Sequence, residues 1–209
     1  MSDKVDFKKT LDCYQARRGE FRILEVPSMR YLMIDGQGDP NDSSDFAAAI
    51  ETLYPVAYKL KFASSRGLGR DYVVPPLEGR WWAEDMEVFT GGARDKTRWS
   101  WTLMIMVPPW LPDDMIASVI ETVGTKKPPP RLDDLRTATL DEGLCVQTLH
   151  LGSFDDEAPV LNRMHEEFIP SNDLRMSGHH HEIYFSDFRK VAPTKLRTIL
   201  RQPVERTHR

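Results

Sequence analysis

Leu32-Met33-Ile34-Asp35-Gly36 with segment 42–60 behind it, and Thr148-Leu149-His150-Leu151-Gly152 with segment 155–168 behind it, share one order of elements. In each, an apolar strand runs into a glycine turn, a polar or acidic residue caps the next segment, and apolar positions recur at helical spacing. In the first copy these positions are Phe46, Ile50, Leu53, Tyr54 and Ala57. In the second they are Val160, Leu161, Met164 and Phe168. A loop and two further strands follow each helix. Identity between the copies is weak, so order and spacing carry the repeat.

This order predicts an α+β protein. Two strand-helix-strand-strand units with pseudo-twofold symmetry would build an antiparallel sheet with helices on one face and a ligand groove on the other. The halves are expected at about 20–107 and 140–203 of a single domain spanning 1–209, joined by a helix and a proline-rich linker over 108–139. A groove between halves is the expected ligand site, since pockets favour such junctions. The strands are expected at 21–26, 30–35, 71–74, 80–83, 96–107, 144–149, 180–185 and 196–200. Segments 61–69 and 170–178 read as loops. Pro112-Asp113-Asp114 opens a further helix that Gly124 stops.

Bulk composition narrows the function classes. The chain has 209 residues, 40% hydrophobic and 29% charged, with a formal net charge of −4. It should fold, and a mildly acidic surface is a poor default partner for nucleic acid or anionic membrane. Residues 1–10 lack the apolar core of a signal peptide, and no apolar run approaches the length of a membrane span. Cys13 and Cys145 form no CxxC pair, which suits free thiols in a reducing, cytoplasmic setting.

Chemistry is concentrated around Glu182. Side chains alternate along a strand, so His179, His181, Ile183 and Phe185 share one face, and His180, Glu182 and Tyr184 share the other. Ile183 and Phe185 suit a helix-packed core, which would leave Glu182 and Tyr184 in the open groove. A partly desolvated carboxylate there is a better base than one in water and attracts cationic or hydrogen-bond-donating ligands. The bland alternative is a half-exposed glutamate paired with an arginine. The His179-His180-His181 run invites a metal reading, but neighbouring strand residues face opposite ways and no HxxxH or CxxC spacing accompanies them, so no metal and no cofactor are expected.

Four of the five tryptophans fall between Trp81 and Trp101. Trp99 and Trp101 share one strand face with Leu103 and Ile105. That face reads either as core or as a stacking wall for a planar aromatic ligand. Trp81 and Trp82 are adjacent, so one points in and one points out. The outward ring either lines a pocket or lies beneath the Gly91-Gly92 loop. Phosphate-binding glycine loops, Ser-His-Asp spacing and a GxSxG elbow are missing.

Pro75-Pro76-Leu77-Glu78-Gly79-Arg80-Trp81-Trp82, His180-His181-Glu182-Ile183-Tyr184-Phe185-Ser186-Asp187 and the closing segment from Pro193 to Val204 together resemble the stand-alone GyrI-like proteins. The resemblance runs from about Lys8 over nearly the whole chain. It implies the duplicated strand-helix-strand-strand fold, known as the SHS2 repeat. Family members include ligand-binding halves of multidrug-response regulators and gyrase-inhibitor proteins. No helix-turn-helix precedes Phe21, which argues against a DNA-binding regulator. Stand-alone members similar to this chain are associated with hydrolysis of cyclopropane-bearing DNA-alkylating natural products, a detoxifying activity. On that resemblance Glu182 matches the key carboxylate and acts as general base, with Tyr184 as a candidate hydrogen-bond donor. Trp81, Trp82, Trp99, Trp101 and His180 are the candidate ligand-binding residues. The alternative is binding or sequestration of planar aromatic or cationic compounds without turnover. A weaker third reading is a partner protein such as gyrase held in the groove.

Overall fold

The computed structural model describes residues 4–84, 95–125 and 127–207. The Gly91-Gly92 loop lies outside them. The chain divides into two compact units. One comprises Met1–Thr10, Met29–Pro75 and Trp81–Leu140; the other comprises Leu11–Ser28, Pro76–Arg80 and Asp141–Arg209.

In the first unit, β2 (Met29–Gln37) pairs antiparallel with β4 (Ser100–Val107) on one side and β5 (Arg136–Leu140) on the other. The two last residues of β3 (Leu77–Trp82) also belong here. Helix α2 (Ser44–Gly67) starts where Ser43 accepts the Phe46 N–H, a polar cap. It then lays Phe46, Ile50, Leu53, Val56, Ala57 and Leu60 against the strands, where Leu32, Ile34, Leu103 and Ile105 are wholly or almost wholly buried. A second helix, α3 (Asp113–Gly124), packs on α2. The short α1 (Phe7–Thr10) is anchored by Phe7, whose ring stacks on Trp110 with centroids 5.5 Å apart.

In the second unit the strand order is β1 (Arg22–Val26), β6 (Gly143–Leu151), β9 (Arg197–Arg206), β8 (His180–Tyr184), with the first four residues of β3 beside β8. The short β7 (Leu174–Met176) pairs with the far end of β9. One helical run covers this sheet: α4 (Ala158–Asn162), a π-helix at Arg163–Phe168, and a last turn α5 (Ile169–Ser171). Pro170 lacks the N–H that an α-turn would offer to Glu166, and the run widens so that Ile169 N–H reaches Met164 O. Met164, Ile169 and Leu174 close over Val146, Leu200 and Val204 as a separate core.

Several expectations are corrected. The halves at 20–107 and 140–203 exchange segments: β1 joins the second unit by pairing with β6, and β5, from inside the expected linker, joins the first by pairing with β2. The three prolines before β5 masked its alternating Thr137 and Thr139. Helix α2 runs to Gly67, past the end expected near 60, because no stop residue intervenes and Leu60 and Ser64 continue its buried face. The strand expected at 71–74 is a single parallel bridge between Tyr72 and Val5. Residues 96–98 form a 3-10 turn, because the Asp95 side chain accepts the Thr97 N–H. β9 continues through Pro203, which needs no donor there and accepts from Ser177 N–H at 2.9 Å.

Candidate functional site

On β8 the alternation is plain: His181 and Ile183 are wholly buried, while His180, Glu182 and Tyr184 share the opposite face. Glu182 pairs with Leu200 of β9, and Leu200 packs in the cluster of Met164 from the helical run. Glu182 therefore stands on the helix-covered side of its sheet. This reverses the expected assignment, in which the side of Ile183 and Phe185 carried the helices. Strand parity fixes which residues share a face and says nothing about which face the helix takes. The Ile183 face is instead covered by the segment around Tyr14, whose ring meets Phe185 edge-on at 6.4 Å.

The Glu182 side chain is 13% exposed. Its Oε2 accepts the Tyr184 hydroxyl at 2.8 Å. A phenol has one hydrogen to give, so Tyr184 here orients the carboxylate. The other oxygen, Oε1, lies 3.5 Å from His180 Nε2. Beyond His180, His165 of the π-helix presents its ring at right angles, centroids 6.3 Å apart. Burial, and then the neighbouring His180, hold the His165 imidazole down at about 4, so it is neutral at physiological pH. Tyr184, Phe154 and Phe188 meet pairwise edge-to-face, with centroids 5.7–5.9 Å apart. The carboxylate thus sits beside an aromatic trio and two imidazoles, within one unit.

The opposite face of β8 holds a polar cluster that the sequence reading missed. His181 places Nδ1 2.9 Å from Glu142 Oε1 and Nε2 2.9 Å from Glu78 Oε2. Arg201 meets Glu142 Oε2 at 2.9 Å, Gln147 Oε1 at 3.1 Å and Cys13 O at 2.6 Å. The Tyr14 hydroxyl donates to Glu78. His181, Arg201, Gln147 and Arg22 form one cross-strand row over β8, β9, β6 and β1. Burial raises the Glu142 carboxyl, but the charges of His181 and Arg201 outweigh it and hold it near 2. Burial disfavours the His181 cation, yet Glu142 and Glu78 raise its pKa above the ordinary imidazole value. The signal for this cluster lay in residues between 39 and 188 positions apart, with Glu78 in a proline-flanked segment and Arg201 placed beyond the expected end of its strand.

The tryptophans separate. In the first unit, Trp81 stacks on Phe46 at 5.9 Å, Trp99 meets Trp81 edge-on at 5.8 Å, and Trp101 meets Phe46 edge-on at 5.2 Å. Their exposures are 5%, 7% and 0%, so these three rings seat the first turn of α2, the core reading of that face. Trp82, on the other face of β3, is half-buried.

Other chemistries find no support among the described residues. No group of three or more His, Cys, Asp or Glu is placed to hold a metal ion. Cys13 and Cys145 are buried free thiols, both pushed up by burial, Cys145 to about 12. Among the described residues, no helix is long and apolar enough to cross a membrane.

Comparison with known proteins places this arrangement. An uncharacterized conserved protein from Listeria innocua is similar at 36% identity and a TM-score of 0.86, covering 97% of this chain and 100% of its own. Two crystal structures described as hydrolases from the same organism are similar at 34% and 35% identity, with TM-scores of 0.82 and 0.84 and the same coverage. No curated protein matches the chain. The GyrI-like small molecule binding domain matches residues 19–205, and the chain belongs to that family.

Proposed function

We propose that this protein binds cyclopropane-bearing electrophilic compounds and hydrolyses them, with Glu182 as general base. The observation that carries the reading is the enclosed Glu182 carboxylate, held at one oxygen by Tyr184 and bordered by the rings of Tyr184, Phe154 and Phe188. Glu182 takes a proton from water, the water oxygen attacks the cyclopropane methylene, and the ring bond breaks. Its electron pair passes into the conjugated dienone, whose oxygen becomes a phenolate and then takes a proton. Ring strain and aromatisation drive the step, so one positioned base suffices. Two similar proteins described as hydrolases support this reading. Among the indoles, Trp82 is the one proposed for stacking a planar ligand, since it is half-buried where Trp81, Trp99 and Trp101 are buried.

A second reading is binding without turnover of planar aromatic or cationic compounds, in which Glu182 supplies charge complementarity and the rings supply affinity. The family description as a small molecule binding domain favours it. Incubation with a spirocyclopropyl cyclohexadienone, followed by thermal shift and mass spectrometry of the recovered compound, separates the two. A product heavier by one water supports hydrolysis; a stabilised protein that returns intact ligand supports capture.

A further inference from the structure

We propose that Glu182, His180 and His165 form the subsite that holds the hydrolytic water, an assignment that rests on the hydrolytic reading above and adds His165 to its machinery. The separation of 3.5 Å between His180 Nε2 and Glu182 Oε1 is long for a charge-assisted hydrogen bond, so neither group is satisfied by the other. Both ring nitrogens of His180 and Nε2 of His165 are buried and have no hydrogen-bond partner among the described residues. Buried polar atoms of this kind are paired in native proteins, with ordered water as the usual remedy. A buried water needs two to four polar partners, and Oε1 and the two imidazoles supply three.

No group of three or more His, Cys, Asp or Glu among the described residues is placed to hold a metal ion. His165 is neutral, held so by burial and by its neighbour. A neutral imidazole offers one donor and one acceptor nitrogen, which complements a water that must give one proton and keep its lone pair directed at carbon. Tyr184 occupies Oε2, which leaves Oε1, on the His180 side, as the oxygen that receives the proton. His165 lies in the π-helix, a local widening that often marks functional sites. In the step itself, one O–H bond of water breaks to Glu182 Oε1, a C–O bond forms at the methylene, and the cyclopropane C–C bond breaks. The carboxyl proton then leaves through His180 to the phenolate oxygen, and the net change is addition of one water.

The test reads the water and the turnover separately. Nuclear Overhauser contacts between water and the ring protons of His165 and His180 are measured in the parent, in His165→Phe and in His180→Gln. kcat and KM are measured with a spirocyclopropyl cyclohexadienone. A long-lived water contact in the parent, lost in His165→Phe, is expected, together with a fall in kcat of about 10²-fold at unchanged KM. Absence of the contact in the folded parent overturns the subsite. A raised KM at unchanged kcat also overturns it, because the imidazoles would then touch substrate. If the contact is present and the parent turns nothing over, the subsite stands and the hydrolytic reading fails. Should His165→Phe not fold, the parent and His180→Gln decide.

Discussion

His181 Nδ1 lies 2.9 Å from Glu142 Oε1, with the histidine side chain wholly buried and the glutamate 3% exposed. An ion pair so enclosed is costly to form and more costly to break, because removing one partner leaves the other charged and dry. Its chain neighbour is Glu182, so the pair also pins the strand that carries the proposed base. Glu142→Leu alone should therefore destabilise the protein by about 3–5 kcal/mol. Combining it with Arg201→Met and His181→Leu should cost less than the sum of the single changes. Urea titration of the singles and the triple measures this, and strict additivity would contradict it.

The same cluster sets the pH range of stability. Glu142 is held down at about 2 in the fold, so its contribution is present above its ordinary value near 4.5 and is lost as pH falls toward 2. The shift corresponds to on the order of 3 kcal/mol. His181 is raised, so its contribution is complete below the ordinary imidazole value and is lost as pH climbs through the folded value above it. Melting temperature against pH should show a plateau bounded on both sides. Glu142→Gln should flatten the acid limb, and an unchanged acid limb would count against the cluster.

Gly36 and Trp101 face each other across β2 and β4, and a Cβ at Gly36 would run into the indole. Gly36→Ala should cost about 1–3 kcal/mol through overpacking. Trp101→Leu should recover part of that loss, although alone it is destabilising because the ring is wholly buried. A double-mutant cycle by thermal melting reads the coupling, which should be of opposite sign to the single effects.

Trp82 and Trp101 should behave differently. Trp101→Ala removes a core ring and should lower stability by about 3–5 kcal/mol. Trp82→Ala, at a half-buried position, should leave the melting temperature nearly unchanged and weaken binding of planar aromatic compounds. Thermal melts with and without such a ligand check both, and a large loss of stability in Trp82→Ala would remove the proposed stacking role.

What the sequence made legible follows from local rules. The alternation in His180 to Tyr184 identified the residues that share a face with Glu182, and the 3.6-residue spacing found α2. Which face the helix covers was not legible, because it depends on where Met164 and Tyr14 pack, and neither signal is local to β8. β5 was hidden by the prolines before it. The buried cluster was hidden because its members come from five separate segments, and a charged residue read singly looks like surface. His165 carried no pattern signal, since it sits beside Met164 in a helix that departs from α geometry.

The most direct measurement is the rate at which the parent and Glu182→Gln convert a spirocyclopropyl cyclohexadienone to its water adduct, followed by mass spectrometry on proteins of matched melting temperature. Hydrolysis through this carboxylate predicts a parent rate above background and a loss of about 10²–10⁴-fold in the variant. Equal conversion by the two proteins would contradict it.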